Sequence, residues 1–223
     1  MKKSLSQLNI LDLTIYRNEN FLVMNKPSGI LSQKDPSDQP DILSEVVISE
    51  KQPCHLHNRL DQPVSGVLVV GLKKLEGDIK WTKKYMALTA KTEKQSGDLS
   101  HWLKRDGQRK KALLSRKPME GYKKGELSYR VIKSYDHVDL VEITLKTGRF
   151  HQIRAQLAQI GRPIRGDVKY GSRRGNKDRS IDLHAYYIKG TGVSELECYA
   201  LPKRDSPLWR EIEKEFITPH MPK

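Results

Sequence analysis

LKTGRFHQIRAQLAQIGRPIRGDVKYG, residues 145–171, changes its hydrophobic period part-way along, and its reading decides the fold. Thr147-Gly148 reads as a turn. From Phe150 the apolar positions fall at helical spacing, with Ile153, Leu157 and Ile160 on one side and Gly161 as the stop. Arg149, His151, Gln152 and Arg154 cluster where this helix opens. A helix N-terminus is already positive through its macrodipole, so Arg149 there calls for an anion. Arg154 lies one turn deeper, toward the core or a cleft. A buried arginine needs a carboxylate partner, and Asp61 is a candidate.

Around this helix the chain alternates strands with a few short helices. FLVMNK (21–26) reads as a buried strand ending in the turn signal Pro27-Ser28-Gly29. Asp41 is placed to cap a helix through ILSEVVISE, with Ile42, Val46 and Val47 on one face. VSGVLVVGL (64–72) and KYMALTA (84–90) are β-rich runs. LSYRVIKSY (127–135) and VDLVEITLK (138–146) predict an antiparallel hairpin around Asp136-His137. IDLHAYYIKG and SELECYA return to strand, and Ser206-Pro207 opens a last helix, LWREIEKEF, as N-cap and first-turn proline. With no internal repeat and no low-complexity linker, the class is α+β, dominated by antiparallel strands.

Composition narrows the function classes. The 223 residues carry 41 Lys and Arg against 27 Asp and Glu, a net charge of +14. A field of that sign favours polyanions, either nucleic acid or an anionic membrane surface. The charge is bunched: Lys104 to Lys124 holds nine basic and two acidic residues, and RRGNKDR covers Arg173 to Arg179. Such runs are commonly solvated loops. Two of them on so basic a chain point to phosphate contacts, and glycines with Pro118 break the periodicity a membrane-surface helix needs. No apolar run approaches the roughly 18 residues of a membrane span. The start, MKKSLSQLNILDL, lacks the apolar core and cleavage site of a signal peptide. Cys54 and Cys198 are too few for a disulfide framework or a cysteine zinc cage, so a cytoplasmic location is expected.

HLHNRLD, residues 55–61, raises the question of metal. A strand there puts His55, His57, Arg59 and Asp61 on one face, by the period of two. A guanidinium among the ligands is electrostatically wrong for a divalent cation, and Arg59 occupies the aspartate position of a di-zinc HxHxDH pattern. The metal-hydrolase reading is therefore the weaker one, and no metal is expected. Asp61, just before Gln62-Pro63, reads on position alone as a cap or turn former.

Taken together, these segments resemble the RluA-type pseudouridine synthases. HNRLDQPVSGVLVVGL is similar to the family's HRLDxxTSG motif, and residues 145–171 to its TGRxHQIR…GxPIxGDxxYG segment. VMNKPSGILS resembles its VNKPxG opening and KKYMAL its KxYxA strand. The four motifs stand in the family's order and reach over residues 21–188.

The resemblance implies a pseudouridine synthase fold: a mixed, largely antiparallel sheet in two halves with flanking helices and a central cleft. It implies one catalytic domain over residues 1–223, without a separate N-terminal RNA-binding domain. It also implies isomerisation of uridine to pseudouridine in ribosomal or transfer RNA, without cofactor or metal, by a cytoplasmic protein expected to be a monomer. Asp61 matches the catalytic aspartate, Arg154 the arginine that pairs with it, and Tyr85 the aromatic that stacks on the target base. Arg59 matches an arginine that fills the space left by the flipped base, and Arg149, His151 and Gln152 are expected to contact the RNA. The chemistry suits these residue types. Breaking C1′–N1 needs a group that traps or stabilises charge at C1′, which an ionised carboxylate does either by attack or by taking a sugar proton. An adjacent arginine favours the ionised form. Stacking worth about 1–3 kcal/mol offsets part of the cost of unstacking the base.

The sequence also departs from the family. Asn58 stands where the family has histidine, and Val64 where it has threonine. The segment between Asp61 and Tyr85 is short, and Lys26 reads only as a turn lysine. Arg59-Leu60-Asp61-Gln62-Pro63 is similar to the tRNA-modifying TruC branch. A catalytically silent RNA-binding or ribosome-assembly protein on the same fold is the alternative, against which Asp61, Tyr85 and Arg154 weigh.

Overall fold

The computed structural model describes residues 10–37, 39–203 and 206–218. Residues 1–9, which hold most of the stretch read above for a signal peptide, lie outside the described residues. The chain divides into two compact units. One is Met1–Trp81 with Ala185–Lys223, and the other is Thr82–His184.

The first unit opens with α1 (Ile10–Leu13), β1 (Thr14–Arg17) and β2 (Phe21–Lys26). It continues with α2 (Ile42–Glu50), the two-residue β3 (His55–Leu56) and β4 (Ser65–Gly71). Every residue of β2 and β4 is buried, because layers cover both faces. The period of two sorts their side chains. Leu22, Met24, Leu68 and Val70 face Ile42 and Val46 of α2, while Phe21, Val23, Val67 and Val69 join Ile188, Leu196 and Cys198. The helix starts where its cap dictates: Asp41 accepts the Ser44 N–H at 3.0 Å and the Ser44 hydroxyl at 2.7 Å. Val47, expected beside Ile42 and Val46, is only half-buried. Gly66 of β4 sits at φ 123°, and a Cβ there would lie 2.2 Å from the Ala185 carbonyl oxygen, so only glycine fits.

The chain passes into the second unit along β5 (Ile79–Thr89), followed by β6 (Ser96–Asp106), β7 (Lys111–Ser115), β8 (Lys123–Ser134) and β9 (Asp139–Leu145). These pair antiparallel in the order β5-β9-β8-β6-β7. The expected β8–β9 hairpin closes around Asp136-His137, with Ser134 opposite Asp139. The basic run 104–124 is not a loop. It is the end of β6, a tip at 107–110, all of β7, a turn and the start of β8, with Asp106 paired to Lys111. Its lysines and arginines hid the alternation that marks a strand. α3 (Gln152–Gln159) follows.

The chain returns to the first unit along β10 (Leu183–Gly192), which pairs with β11 (Leu196–Tyr199), and ends in α4 (Pro207–Ile212) and a π turn, Glu213–Ile217. Pro207 stands at the first turn as expected. Ser206 is extended but makes no side-chain cap bond. No helix among the described residues is long and apolar enough to cross a membrane.

In the second unit Arg162 and Asp139 are 0% and 1% exposed and bonded at 2.6 Å. Arg162 also donates to the carbonyls of Thr92 and Lys94 at 3.0 and 2.6 Å, closing the chain after β5 onto β9. Burial alone would raise the Asp139 carboxyl. Hydrogen bonds from Arg162 and Ser134 more than reverse this and hold it below its usual value. Asp139→Ala strands a buried guanidinium, and the expected loss is about 3–5 kcal/mol, read as a lower urea midpoint. The wild-type contribution is lost as pH falls through the depressed Asp139 pKa, and the variant should lack that acid-limb dependence.

Candidate active site

In the first unit Asp61 lies half-buried between β3 and β4. The strand expected through His55–Asp61 stops at Leu56, so the common face that would have gathered His55, His57, Arg59 and Asp61 does not form. The reason is Asn58. Its side chain donates to the Val67 carbonyl and accepts the Val69 N–H, both at 2.8 Å, and so stands in for backbone pairing with β4 beyond His57, whose N–H donates to the Val69 carbonyl at 3.0 Å. The chain is thereby free to bend. His55 and Arg59 face solvent, while His57 packs among Phe21, Trp81 and His55 at ring distances of 5.3, 5.1 and 4.7 Å. Burial, with a smaller push from His55, lowers the His57 imidazole to about 4. Among the described residues no three His, Cys, Asp or Glu side chains gather as a metal site.

Asp61 is held from both neighbours. The Ser32 hydroxyl accepts the Leu60 N–H at 3.1 Å and donates to the Leu60 carbonyl at 2.8 Å. The Val64 N–H closes a turn on the Asp61 carbonyl at 3.0 Å. Gly29 N–H donates to the Gln62 carbonyl at 2.7 Å, and the Gln62 amide donates back to the Gly29 carbonyl at 3.1 Å. Beneath this seam lies Lys26, 0% exposed, whose ammonium donates to the carbonyls of Ile30, Pro27 and Gln62 at 2.8, 2.9 and 3.4 Å. Burial pushes this ammonium down to about 7, against an opposing pull from the Asp61 charge. Lys26 is thus no mere turn lysine; it is a support that sequence reading missed. Its signal was position, a lysine closing a mostly apolar buried strand within the VMNKPSGILS segment.

In the second unit Tyr85 is 5% exposed on β5, opposite Ile143 of β9. Two residues back along the strand, Lys83 is half-buried, and burial lowers its ammonium. The turn before α3 is built on Gln152. Its Oε1 accepts the Thr147 hydroxyl at 2.8 Å and the Arg149 N–H at 2.9 Å, and its Nε2 donates to the Glu126 carbonyl at 3.1 Å. Gln152 is buried and both ends of its amide are engaged, which makes it a brace for the turn. Arg149 is exposed, and its Nε donates to the Lys124 carbonyl at 2.8 Å. His151 takes a left-handed backbone, φ 51°, at the helix N-terminus without capping it.

Arg154 is 4% exposed, and its Nε and Nη2 donate to the two oxygens of Asp167 at 2.7 and 2.9 Å. This fork-on-fork geometry fixes the plane of the guanidinium. Asp167 was not singled out from the sequence, yet it is the only acid between Lys146 and Lys177. A buried arginine in that stretch has no nearer carboxylate along the chain.

Two units of antiparallel strands, one bearing a braced carboxylate and the other a carboxylate-oriented arginine, form the pseudouridine synthase fold. The human RNA Pseudouridylate Synthase Domain Containing 4 structure aligns with a TM-score of 0.69 at 21% identity, over 87% of this chain and 90% of its own. The Domain Containing 1 protein gives 0.66 at 24% identity, over 84% and 82%. The chain belongs to the RNA pseudouridylate synthase family, whose sequence profile matches residues 20–159. Among curated relatives, tRNA pseudouridine synthase C of Haemophilus ducreyi is 28% identical, over 91% of this chain and 94% of its own. Ribosomal large subunit pseudouridine synthase D of Borreliella burgdorferi is 28% identical over 81% of this chain, which spans 61% of that relative. Ribosomal large subunit pseudouridine synthase C of Buchnera aphidicola is 33% identical over 74% of this chain, which spans 56% of it.

Lys26 gives a pH test of the Asp61 support. Its folded pKa, about 7, is below the usual lysine value of 10.5, so between these limits the unfolded chain binds the extra proton. Stability then rises with pH across that window. Lys26→Met should flatten this rise in urea-unfolding free energies measured from pH 7 to 10.5. An unchanged slope would remove Lys26 as its source.

Proposed function

We propose that this chain is a cytoplasmic enzyme that isomerises uridine to pseudouridine in ribosomal or transfer RNA. The observation that carries the reading is the family match over residues 20–159, which spans Asp61, Tyr85 and Arg154. The reaction breaks C1′–N1, forms C1′–C5, moves a proton from C5 to N1, and is neutral in electrons, so its balance calls for no redox partner. Asp61 acts at the sugar, by bonding C1′ or by taking a sugar proton. Arg154 is the cation that acts with this carboxylate. Its guanidinium plane is already set by Asp167. Tyr85 stacks on the flipped base and Arg59 fills the space the base leaves. Arg149 and His151 meet the RNA backbone, with Gln152 bracing the turn between them. The exposed charges of the β6–β7 hairpin and of 173–179 bind flanking phosphates.

The test is tritium release from RNA labelled at uracil C5, taken from cells lacking this gene and split into ribosomal and transfer fractions. Wild type should release tritium from one fraction, and Asp61→Asn from neither. Equal release by both would remove Asp61 from the mechanism. RNA binding without release would favour a silent binding protein.

Replacing Arg109, Arg116 and Lys117 with alanine should weaken RNA binding. The slope of log K against log salt should flatten by about 0.7–0.9 for each phosphate that the variant no longer neutralises. An unchanged slope would make the hairpin only a solvated face.

A further inference from the structure

The basic hairpin and Arg154 are joined through one side chain. Tyr170 ends the 3₁₀ turn Val168–Tyr170, three positions after Asp167. Its hydroxyl accepts the backbone N–H of Ala112, in β7, at 2.7 Å, and lies 2.9 Å from Nδ1 of His151. Its ring lies 5.0 Å from the Arg154 guanidinium and 5.6 Å from the Lys111 ammonium. Beside it, the Lys169 ammonium donates to the Lys110 carbonyl at 3.1 Å. Residues 167–170 therefore grip the hairpin on one side and Arg154 on the other. A second route runs from the same hairpin: Arg105 of β6 covers the Phe150 ring at 4.8 Å, and Phe150 stacks on His151 at 3.8 Å and 17°. Both routes meet at the pair His151–Tyr170.

The Tyr170 hydroxyl oxygen accepts from Ala112 and shares a second hydrogen bond with Nδ1 of His151, so one hydroxyl ties the imidazole to β7. The left-handed backbone of a non-glycine residue costs on the order of 1–3 kcal/mol, and such strain persists only where its surroundings over-determine it.

We propose that Tyr170 is a positioning residue: it makes the β6–β7 hairpin, His151 and Arg154 move as one body, so that phosphates seated on the hairpin set the guanidinium for the reaction. The inference deepens the RNA-isomerase reading and rests on it for its kinetic test alone.

Tyr170→Phe is the informative variant. It keeps the ring over Arg154 and Lys111 and removes the two hydroxyl bonds. Expected is a kcat about tenfold lower with KM within about threefold, the pattern of an interaction needed in the transition state more than in binding. In wild type, Arg109→Ala should then lower kcat as well as raise KM; in the Tyr170→Phe background it should raise KM only. Multiplicative kcat effects of the two changes, or a lower thermal midpoint with kcat intact, would overturn the proposal.

A second readout needs no turnover. The Arg154 Nε–H resonance should shift when an RNA hairpin with a G·C stem and a cytidine loop, which contains no uridine, binds the wild type. In Tyr170→Phe it should stay in place at equal saturation. No shift in the wild type, or the same shift in both proteins, would sink the coupling even if tritium release succeeds. A shift confined to wild type would uphold the coupling even if tritium release fails.

Discussion

Arg154 and Asp167 are ions buried to 4% and 1% exposure, and the second unit is arranged around the need to keep them together. Removing two such charges from water costs several kcal/mol each, which their attraction recovers only in good geometry with the remaining hydrogen-bonding groups satisfied. The chain supplies that geometry from two directions. On the arginine side, the Gln152 amide locks the turn that starts α3, and so sets where the helix places its third residue. On the carboxylate side the backbone winds around Asp167: its N–H donates to the Ile164 carbonyl, and its own carbonyl accepts from Tyr170 and Ser172, each at 3.0 Å. That winding passes through Gly166 at φ 87°, where a Cβ would meet the Asn176 side chain at 2.7 Å and the Ser180 carbonyl oxygen at 2.9 Å. Ordinary side chains are thus excluded from the loop that orients the acid.

The first unit solves a parallel problem with different parts. Asp61 lies half-buried on an irregular segment, where no ladder fixes the backbone. Three polar side chains stand in for the ladder: Asn58 against β4, Ser32 on both sides of Leu60, and Lys26 beneath Gln62. A buried ammonium is an expensive support, and its placement explains the expense. Lys26 bonds carbonyls from the turn after β2 and from the residue following Asp61, so one side chain reinforces the backbone bond, Gly29 N–H to Gln62 carbonyl, that joins the two loops.

Regular elements with a clean period were legible in the sequence. FLVMNK, the capped helix ILSEVVISE and the β8–β9 hairpin stand where their patterns put them, because burial and capping act locally. The hairpin in 96–115 was hidden because its exposed positions mix Asp98, Ser100, Lys104 and Arg105 with an apolar Leu113, while its buried ones include His101 and Ala112, so no clean apolar alternation shows. The strand expected through HLHNRLD was lost to Asn58, since nothing in a single sequence says that an amide will bond β4 rather than point to solvent. Motif spacing placed Asp61, Tyr85 and Arg154 among the residues to examine. It could not reveal which neighbours hold them, because Asp167, Ser32 and Lys26 become partners only through loop closures that local pattern does not encode.

His151 carries the last step. Glycine would adopt φ 51° at no steric cost, and a polar N-cap would help the helix more, yet the histidine here caps nothing. What the position gains is an imidazole stacked on Phe150 and bonded through Nδ1 to Tyr170, the residue whose ring also lies against Arg154. The backbone strain and the absent cap are local costs, and the contacts to Phe150 and Tyr170 that offset them lead toward the basic hairpin and the buried arginine. The start of α3 is therefore better understood as a junction between the basic hairpin and the buried arginine than as a helix terminus optimised for stability.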